Sequence, residues 1–250
     1  MALNPASLER IIPEMLESAG TTGQPTLALH LSRYEFAARH MQPGRVLDIA
    51  CGVGYGTKLL ATHADSIRLA IGVDISADAI DYARARYAHD RIKFVEADAL
   101  EFSDSVGFEN IVSLETIEHV PDPHALLAHL VRLLRPNGTL IGSVPITPTV
   151  DVNPHHLTDF TAASFRRLGR RLGLLELDAL IQDQVYDPVA VLTKKERRLT
   201  GMRGNLPAYY IANPGRLWAR IYSTLRHGFK TRNLTLVWKK QPEKLAEDQL

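Results

Sequence analysis

Residues Leu114–His119 read LETIEH and close the apolar run IVSL, so two carboxylates and an imidazole crowd into five positions. If this stretch coils into one helical turn, Glu115, Glu118 and His119 fall at i, i+3 and i+4 and point into one space. An imidazole titrating near pKa 6.5 can take a proton from a hydroxyl at neutral pH, which makes His119 a candidate general base. A pair of imidazoles, His155 and His156, follows in NPHHLTDFTAASF. Carboxylates and imidazoles together also form a donor set for Mg²⁺, Mn²⁺ or Zn²⁺.

Something must hold these groups in place, and strand-like and helix-like segments alternate along the chain, the pattern of a parallel sheet with helices on both faces. Leu27, Leu31, Tyr34, Ala38 and Met41 recur at helical spacing, predicting a helix that stops before Pro43-Gly44. RVLDIA, RLAIGVDI, IKFVEAD, ENIVSLE and GTLIGSVP read as successive strands, LLELDALI and NLTLVWKK as two more. Between them lie the helices TKLLATHA, ADAIDYARARYA with Ser76 as N-cap, ALLAHLVRLL ending at Pro136-Asn137-Gly138, and AASFRRLGRRLG.

The first strand–loop–helix unit carries the strongest binding signal. Gly52, Gly54 and Gly56 alternate in CGVGYG, allowing a sharp turn whose backbone can lie against a ligand without Cβ interference. Asp74 ends the second strand twenty positions after Gly54, where a doubly wound fold sets a carboxylate to accept from ribose hydroxyls. The dinucleotide fingerprint is G-x-G-x-x-G with pyrophosphate on the helix N-terminus, whereas the spacing here is G-x-G-x-G. Asp48, inside the strand, suits a cationic ligand better than pyrophosphate. An NAD-dependent oxidoreductase is therefore disfavoured but stays an alternative, as does a cofactor-binding module without catalysis.

With VLDIACGVGYG, VEADAL, GFENIVSLETIEHVPDP and LLRPNGTLIGSVP in this order, the chain resembles the class I S-adenosylmethionine-dependent methyltransferases from about Arg45 to Leu180. The resemblance implies an α/β, doubly wound, Rossmann-like seven-stranded sheet whose last strand is antiparallel, with a helical insertion before it. It also implies that Ala50, Gly52, Gly54 and Gly56 line the cofactor with Asp48 beneath, that Asp74 takes the ribose hydroxyls, that Asp98 and the Ala99 amide meet the adenine, and that Ile75 and Leu114 also contact the cofactor. E-x-x-E-H with a later histidine is similar to small-RNA 3′-terminal 2′-O-methyltransferases, which carries a divalent site over to Glu115, Glu118, His119 and His156; it keeps RNA 2′-O-methylation as an alternative. The ubiquinone-pathway O-methyltransferases carry a related E-x-x-E-H-V-P-D-P stretch. HLSRYEFA and NP-x-H-x-x-x-x-T resemble glycan-tailoring methyltransferases, and so the leading expectation is O-methylation of a sugar or other small hydroxylated acceptor, with His119, His156 and Glu115 in the catalytic roles.

Composition bounds the rest. The 250 residues fit one α/β domain with a buried core, comprising a helical cap over 1–43 and an insertion over 188–232. No apolar run approaches the ~20 residues of a membrane span, the N-terminal stretch has acids where a signal peptide needs an apolar core, and the single cysteine, Cys51, fits a reducing cytoplasm. Cys51 itself reads as a small buried residue beside the cofactor. The net charge of +1 hides an asymmetry: Val185–Lys240 holds twelve Lys and Arg against Asp187 and Glu196. This basic region suits an anionic partner, with a small anionic or sugar-like acceptor ahead of nucleic acid. In PGRLWARIYSTLRHG, Leu217, Trp218, Ile221, Tyr222 and Leu225 share an apolar face expected to pack on the domain; a second subunit or a peripheral membrane contact are its other uses.

Overall fold

The computed structural model describes residues 13, 20–185, 203 and 205–242; the remainder of the expected cap and of the insertion, with Lys194, Lys195, Arg197 and Arg198, lies outside the described residues. The first helix, α1 (Gly20–His40), ends just before Pro43-Gly44 as its periodicity predicts. The chain then alternates through β1 (Gly44–Ile49), α2 (Tyr55–His63), β2 (Ile67–Asp74), α3 (Ala77–Arg86), β3 (Ile92–Glu96) and β4 (Phe108–Leu114). A short 3₁₀ turn over Ile117–His119 leads to α4 (Pro123–Leu133), β5 (Leu134–Pro145), α5 (Ala162–Arg171) and β6 (Leu174–Val185). Two further helices, α6 (Leu206–Ala212) and α7 (Pro214–His227), precede β7 (Lys230–Lys240).

These strands make one sheet in the order β3-β2-β1-β4-β5-β7-β6. β7 runs antiparallel to both β5 and β6, and the other pairings, β1 with β2 and β4, β2 with β3, and β4 with β5, are parallel. This is the doubly wound sheet with an antiparallel last strand, and α6 and α7 stand immediately before that strand. β1 pairs with β2 on one side and β4 on the other, so the chain reverses its direction of winding there, and the crevice beyond the carboxyl ends of β1 and β4 is where such folds bind ligands.

Both faces of the sheet are covered, which is why its strands read as nearly continuous apolar runs. One face packs Leu47, Ile49, Ile111 and Leu140 against Leu126, Leu127 and Leu130 of α4 and Phe165 of α5. The other packs Val46, Val112, Ile141 and Val237 against Tyr34 and Ala37 of α1 and Leu60 and Ala61 of α2. Strand alternation puts Asp48 on the same side as Val46, facing α1 and α2. Local chemistry fixes the helix starts. Ser76 caps α3 by accepting from the Ala79 amide, Asp122 caps α4 with Pro123 following, and Thr161 and Ser164 form a reciprocal cap on α5.

One expected boundary moves. Pro136-Asn137-Gly138, read as a helix stop, lies inside β5, where the register against β4 jumps from Phe108↔Leu134 to Asn110↔Thr139. Asn137 has φ 61°, so the turn-forming residues are spent on a bulge in the strand, after α4 has already ended at Leu133. Among the described residues no helix is long and apolar enough to cross a membrane.

Candidate active site

The glycine loop begins where β1 ends. Ala50 (φ 56°), Gly52 (φ 57°) and Gly54 (φ 86°) all take left-handed backbone conformations, which turn the chain from strand to helix within a few residues. A Cβ at Gly52 would meet nothing within 4 Å, so the loop presents bare backbone to open space. At Gly56 the opposite holds: a Cβ there would sit 1.9 Å from Cζ of Tyr34, because α1 presses the tyrosine ring onto α2. Gly52 therefore borders open space, and Gly56 answers to helix packing.

Two acids fix the loop from behind. The Asp74 carboxylate accepts from the Gly52 amide through Oδ2 (2.9 Å) and from the Ser76 amide through Oδ1 (3.0 Å), so it ties β2 to the glycine loop. Ile75 beside it is 63% exposed, an apolar side chain at the rim of the crevice. Asp48 is buried and accepts from the Thr57 hydroxyl at 2.6 Å and from the Tyr34 hydroxyl at 3.3 Å. Burial pushes its carboxyl up to about 7, against the pull of those two hydrogen bonds, with nearby Asp74 adding to the rise. A cation bound over the loop would favour its ionised form. Cys51 is buried, and burial raises its thiol well above the ordinary value, as expected of a packing residue. Asp98 uses Oδ1 to accept from the Leu100 amide at 2.7 Å, stabilising the loop after β3 beside half-buried Ala99.

At the end of β4, Leu114 is buried and Glu115 has φ 49°. The chain thus turns a corner at Glu115, and the 3₁₀ turn begins only at Ile117. Glu115 is outside that turn, and its side chain does not share one face with Glu118 and His119. It accepts from Ser143 Oγ on neighbouring β5 (2.7 Å) and lies 3.4 Å from the Arg33 guanidinium of α1. Burial pushes its carboxyl up, but Arg33, His30, the Ser143 hydroxyl and His156 outweigh it and hold it below the usual carboxylate range.

Glu118, His119 and His156 do come together, with one potential ligand atom from each within 4.8 Å of the others. The two imidazoles meet edge to face with centroids 4.6 Å apart, and His119 Nε2 lies 4.0 Å from a Glu118 carboxylate oxygen. His156 arrives from a loop further down the chain because that loop is laced onto the turn: the Leu157 and Thr158 amides donate to the Glu118 carbonyl. His119 Nδ1 donates to the His155 carbonyl (3.1 Å), and His156 Nδ1 is 2.6 Å from Thr149 Oγ1. A carbonyl only accepts, so neutral His119 carries its lone pair on Nε2, on the side of Glu118. His155 is exposed and lends its backbone to the cluster.

The loop is held from outside as well. Asp159 accepts from the Thr149 and Val150 amides and pairs with Arg216, while Asp151, buried, pairs with Arg220 and accepts from the Tyr210 hydroxyl (2.6 Å). Helices α6 and α7 of the basic insertion thus grip the His156 loop. Tyr209 stacks under the Arg203 guanidinium at 4.3 Å.

Sequence reasoning missed Arg33, Tyr34 and Thr57. The signal was present in HLSRYEFA, where an arginine sits in a helix otherwise expected to face the core; Arg33 is buried, donating through Nε to Gln182 (2.7 Å). A shallow hollow lined by Asp104, Arg132, Arg135 and Lys240 lies at the other end of the sheet, away from these groups.

Comparison with known proteins agrees with this geometry. Residues 47–142 match the family model described as a methyltransferase domain. A Mycolicibacterium smegmatis protein, provisionally named an S-adenosylmethionine-dependent methyltransferase, is 29% identical over 185 residues, 69% of this chain and 70% of that one. The ubiquinone biosynthesis O-methyltransferase of Xanthomonas campestris is 28% identical over 189 residues, 66% of this chain and 77% of its own length. Three further mycobacterial relatives, 33% identical over 118 residues, are spanned to 58% of their length. Among solved structures, a Bacillus halodurans protein provisionally named a methyltransferase superposes with a TM-score of 0.65 at 16% identity, covering 84% of this chain and 98% of that one. Its likeness is one of fold. Residues 47–142 are thus similar to a methyltransferase domain, and about two thirds of the chain is similar to proteins named S-adenosylmethionine-dependent or O-methyltransferases.

Proposed function

We propose that the chain methylates a hydroxyl group on a small acceptor, sugar-like or anionic, with His119 as general base or, in its place, a divalent ion, Mg²⁺ or Mn²⁺, held by Glu118, His119 and His156. The observation that carries this reading is the convergence of that carboxylate and two imidazoles at the carboxyl end of β4, next to the strand that bears the glycine loop. The cofactor, when bound, supplies an electrophilic methyl on a sulfonium. The chain's own residues do the rest. Gly52 offers bare backbone, Asp74 accepts from ribose hydroxyls, and Asp48 offsets positive charge from beneath. A hydroxyl acceptor must lose its proton as it is methylated, and His119 Nε2 is the atom that takes it. A carboxylate facing an imidazole lone pair favours a cation between them, and that cation is either the proton so gained or a metal ion. An ion bound there would lower the acceptor's pKa. Glu115, paired with Arg33 and accepting from Ser143, favours its ionised form at the end of β4. The name of the Xanthomonas relative, an O-methyltransferase, agrees with an oxygen acceptor.

The test separates acceptor from metal. Acceptors bearing free hydroxyls, with and without phosphate or carboxylate groups, are incubated with S-adenosylmethionine and screened by mass spectrometry for the gain of one methyl. Methylation confined to nitrogen or carbon acceptors refutes the oxygen assignment. Mn²⁺ binding is measured directly by electron paramagnetic resonance on the parent and on His156→Ala; the parent binds one ion and the variant loses it. No binding by the parent refutes the metal while leaving the base reading to the His119→Ala rate.

A further inference from the structure

Helix α7 is amphipathic in the reverse sense to a helix that caps a core. Its arginines Arg216 and Arg220 face inward, pairing with Asp159 and Asp151 of the His156 loop. Four of its apolar residues face outward, while Leu217 is half-buried. Trp218 is 69% exposed, Tyr222 63% and Leu225 83%, at helical positions i, i+4 and i+7, and Ile221 stands on the same face. The expectation that this face packs on the domain is not met: the ion pairs decide which side of the helix turns in. Ile211 at the end of α6 (84% exposed), Phe229 just beyond α7 and Val185, paired with Lys230 across the β6–β7 ladder, add further exposed apolar side chains near its two ends.

The surroundings say what covers this surface. Residues 205–232 contain five arginines and lysines and no acid. Arg226 flanks the apolar stripe and donates to the Tyr222 hydroxyl (2.9 Å), while Lys230 and Arg232 share the single carboxylate of Asp183, leaving an excess of positive charge. His227, on the same turn, is held below its ordinary value by desolvation and by the charges of Arg232, Arg226 and Lys230. A self-associating surface needs complementary charge on its own rim, and a rim whose acid among the described residues, Asp183, is already shared by Lys230 and Arg232 opposes a second copy of itself. Exposed Trp, Tyr, Phe, Leu and Ile on a helix bordered by arginine and lysine match the interface of an anionic bilayer, aromatic rings at headgroup depth and cations against lipid phosphates.

We infer that the outer face of α7, with Ile211 and Phe229, docks on an anionic membrane surface, and that the Arg216–Asp159 and Arg220–Asp151 pairs couple this docked helix to the loop that carries His156. The inference is independent of the acceptor proposed above.

The full chain is mixed with vesicles of phosphatidylcholine alone or with phosphatidylglycerol, and binding is read by co-sedimentation and by tryptophan emission. Trp238 is buried at 1% exposure, so a blue shift on binding reports Trp218. The expected result is binding to anionic vesicles with a blue shift, weakening at high salt, and a loss of about tenfold or more in partition for Leu225→Glu, the effect of withdrawing one buried leucine and adding a negative charge. Leu225→Glu lies on the surface, and an unchanged melting temperature verifies its fold; Leu225→Ala serves as the milder variant. Absence of binding to anionic vesicles overturns the inference. So does equal binding by parent and Leu225→Glu, which would assign the affinity to charge alone. A stable dimer in sedimentation that Leu225→Glu converts to monomer, with no vesicle binding, would assign the face to a second copy instead.

Discussion

Replacing Asp74 tests the cofactor site most directly. Its carboxylate makes two hydrogen bonds to backbone, from Gly52 (2.9 Å) and Ser76 (3.0 Å), and stands at the end of β2 beside the open surface of the glycine loop. A ribose diol would add two charge-assisted hydrogen bonds, each worth about 1.5–3 kcal/mol. Asp74→Ala removes both, a loss of about 3–6 kcal/mol, and weakens cofactor affinity roughly 10²- to 10⁴-fold. The same substitution releases the Gly52 and Ser76 amides and lowers stability by about 1–3 kcal/mol, so the two effects need separating. Asp74→Asn does so. Its oxygen still accepts one amide, but its NH₂ group must face the other, and it offers the ribose one fewer acceptor. The loss in affinity is then intermediate, with stability closer to the parent. Isothermal titration with S-adenosylhomocysteine measures affinity, and thermal melting confirms that each variant is folded. A folded Asp74→Ala protein whose Kd stays within about threefold of the parent would refute the assignment of this carboxylate to the ribose, and with it the placement of the cofactor.

Two further expectations concern Asp48 and Gly56. Burial holds the Asp48 carboxyl at about 7 rather than 3.8, so the folded chain keeps a proton that the unfolded chain has lost; this group's contribution to stability therefore declines as pH rises through that window and levels off above it. Melting curves between about pH 5 and pH 8 should show a steeper decline for the parent than for Asp48→Asn, and parallel curves would contradict the raised value. A cationic cofactor favours the ionised form, so its affinity should strengthen over the same range in the parent and lose that dependence in Asp48→Asn, as titration calorimetry can read. Gly56→Ala places a methyl 1.9 Å from Cζ of Tyr34, and overpacking of this kind costs about 1–3 kcal/mol. Adding Tyr34→Ala should recover part of that loss, and strictly additive melting shifts in the double-mutant cycle would show that the two residues do not meet.

Repeating local patterns made most of the fold legible without a structure. Apolar runs bounded by glycine, proline and capping residues located the strands and most helices, because burial on both faces of a parallel sheet leaves a nearly continuous apolar record. The turn at Gly52 and Gly54 was legible for a related reason: left-handed backbone restricts residue type, so the requirement is written as glycine. Pro136-Asn137-Gly138 misled because turn chemistry serves a bulge within a strand as readily as a helix stop.

Contacts between distant segments were decided by tertiary structure alone. Sequence put Glu115, Glu118 and His119 on one imagined helical face, yet the left-handed corner at Glu115 sends its carboxylate to Arg33 and Ser143 and leaves Glu118 and His119 to meet His156. Spacing carries no information about a corner that the following loop stabilises. Nor could periodicity tell which side of α7 turns inward. It identified the apolar stripe correctly, but two arginines found carboxylates on the His156 loop, and those pairs rotate the stripe into solvent. A helix reveals its faces in one dimension, and the partner that selects between them lies sixty residues away along the chain and a few ångströms away in space.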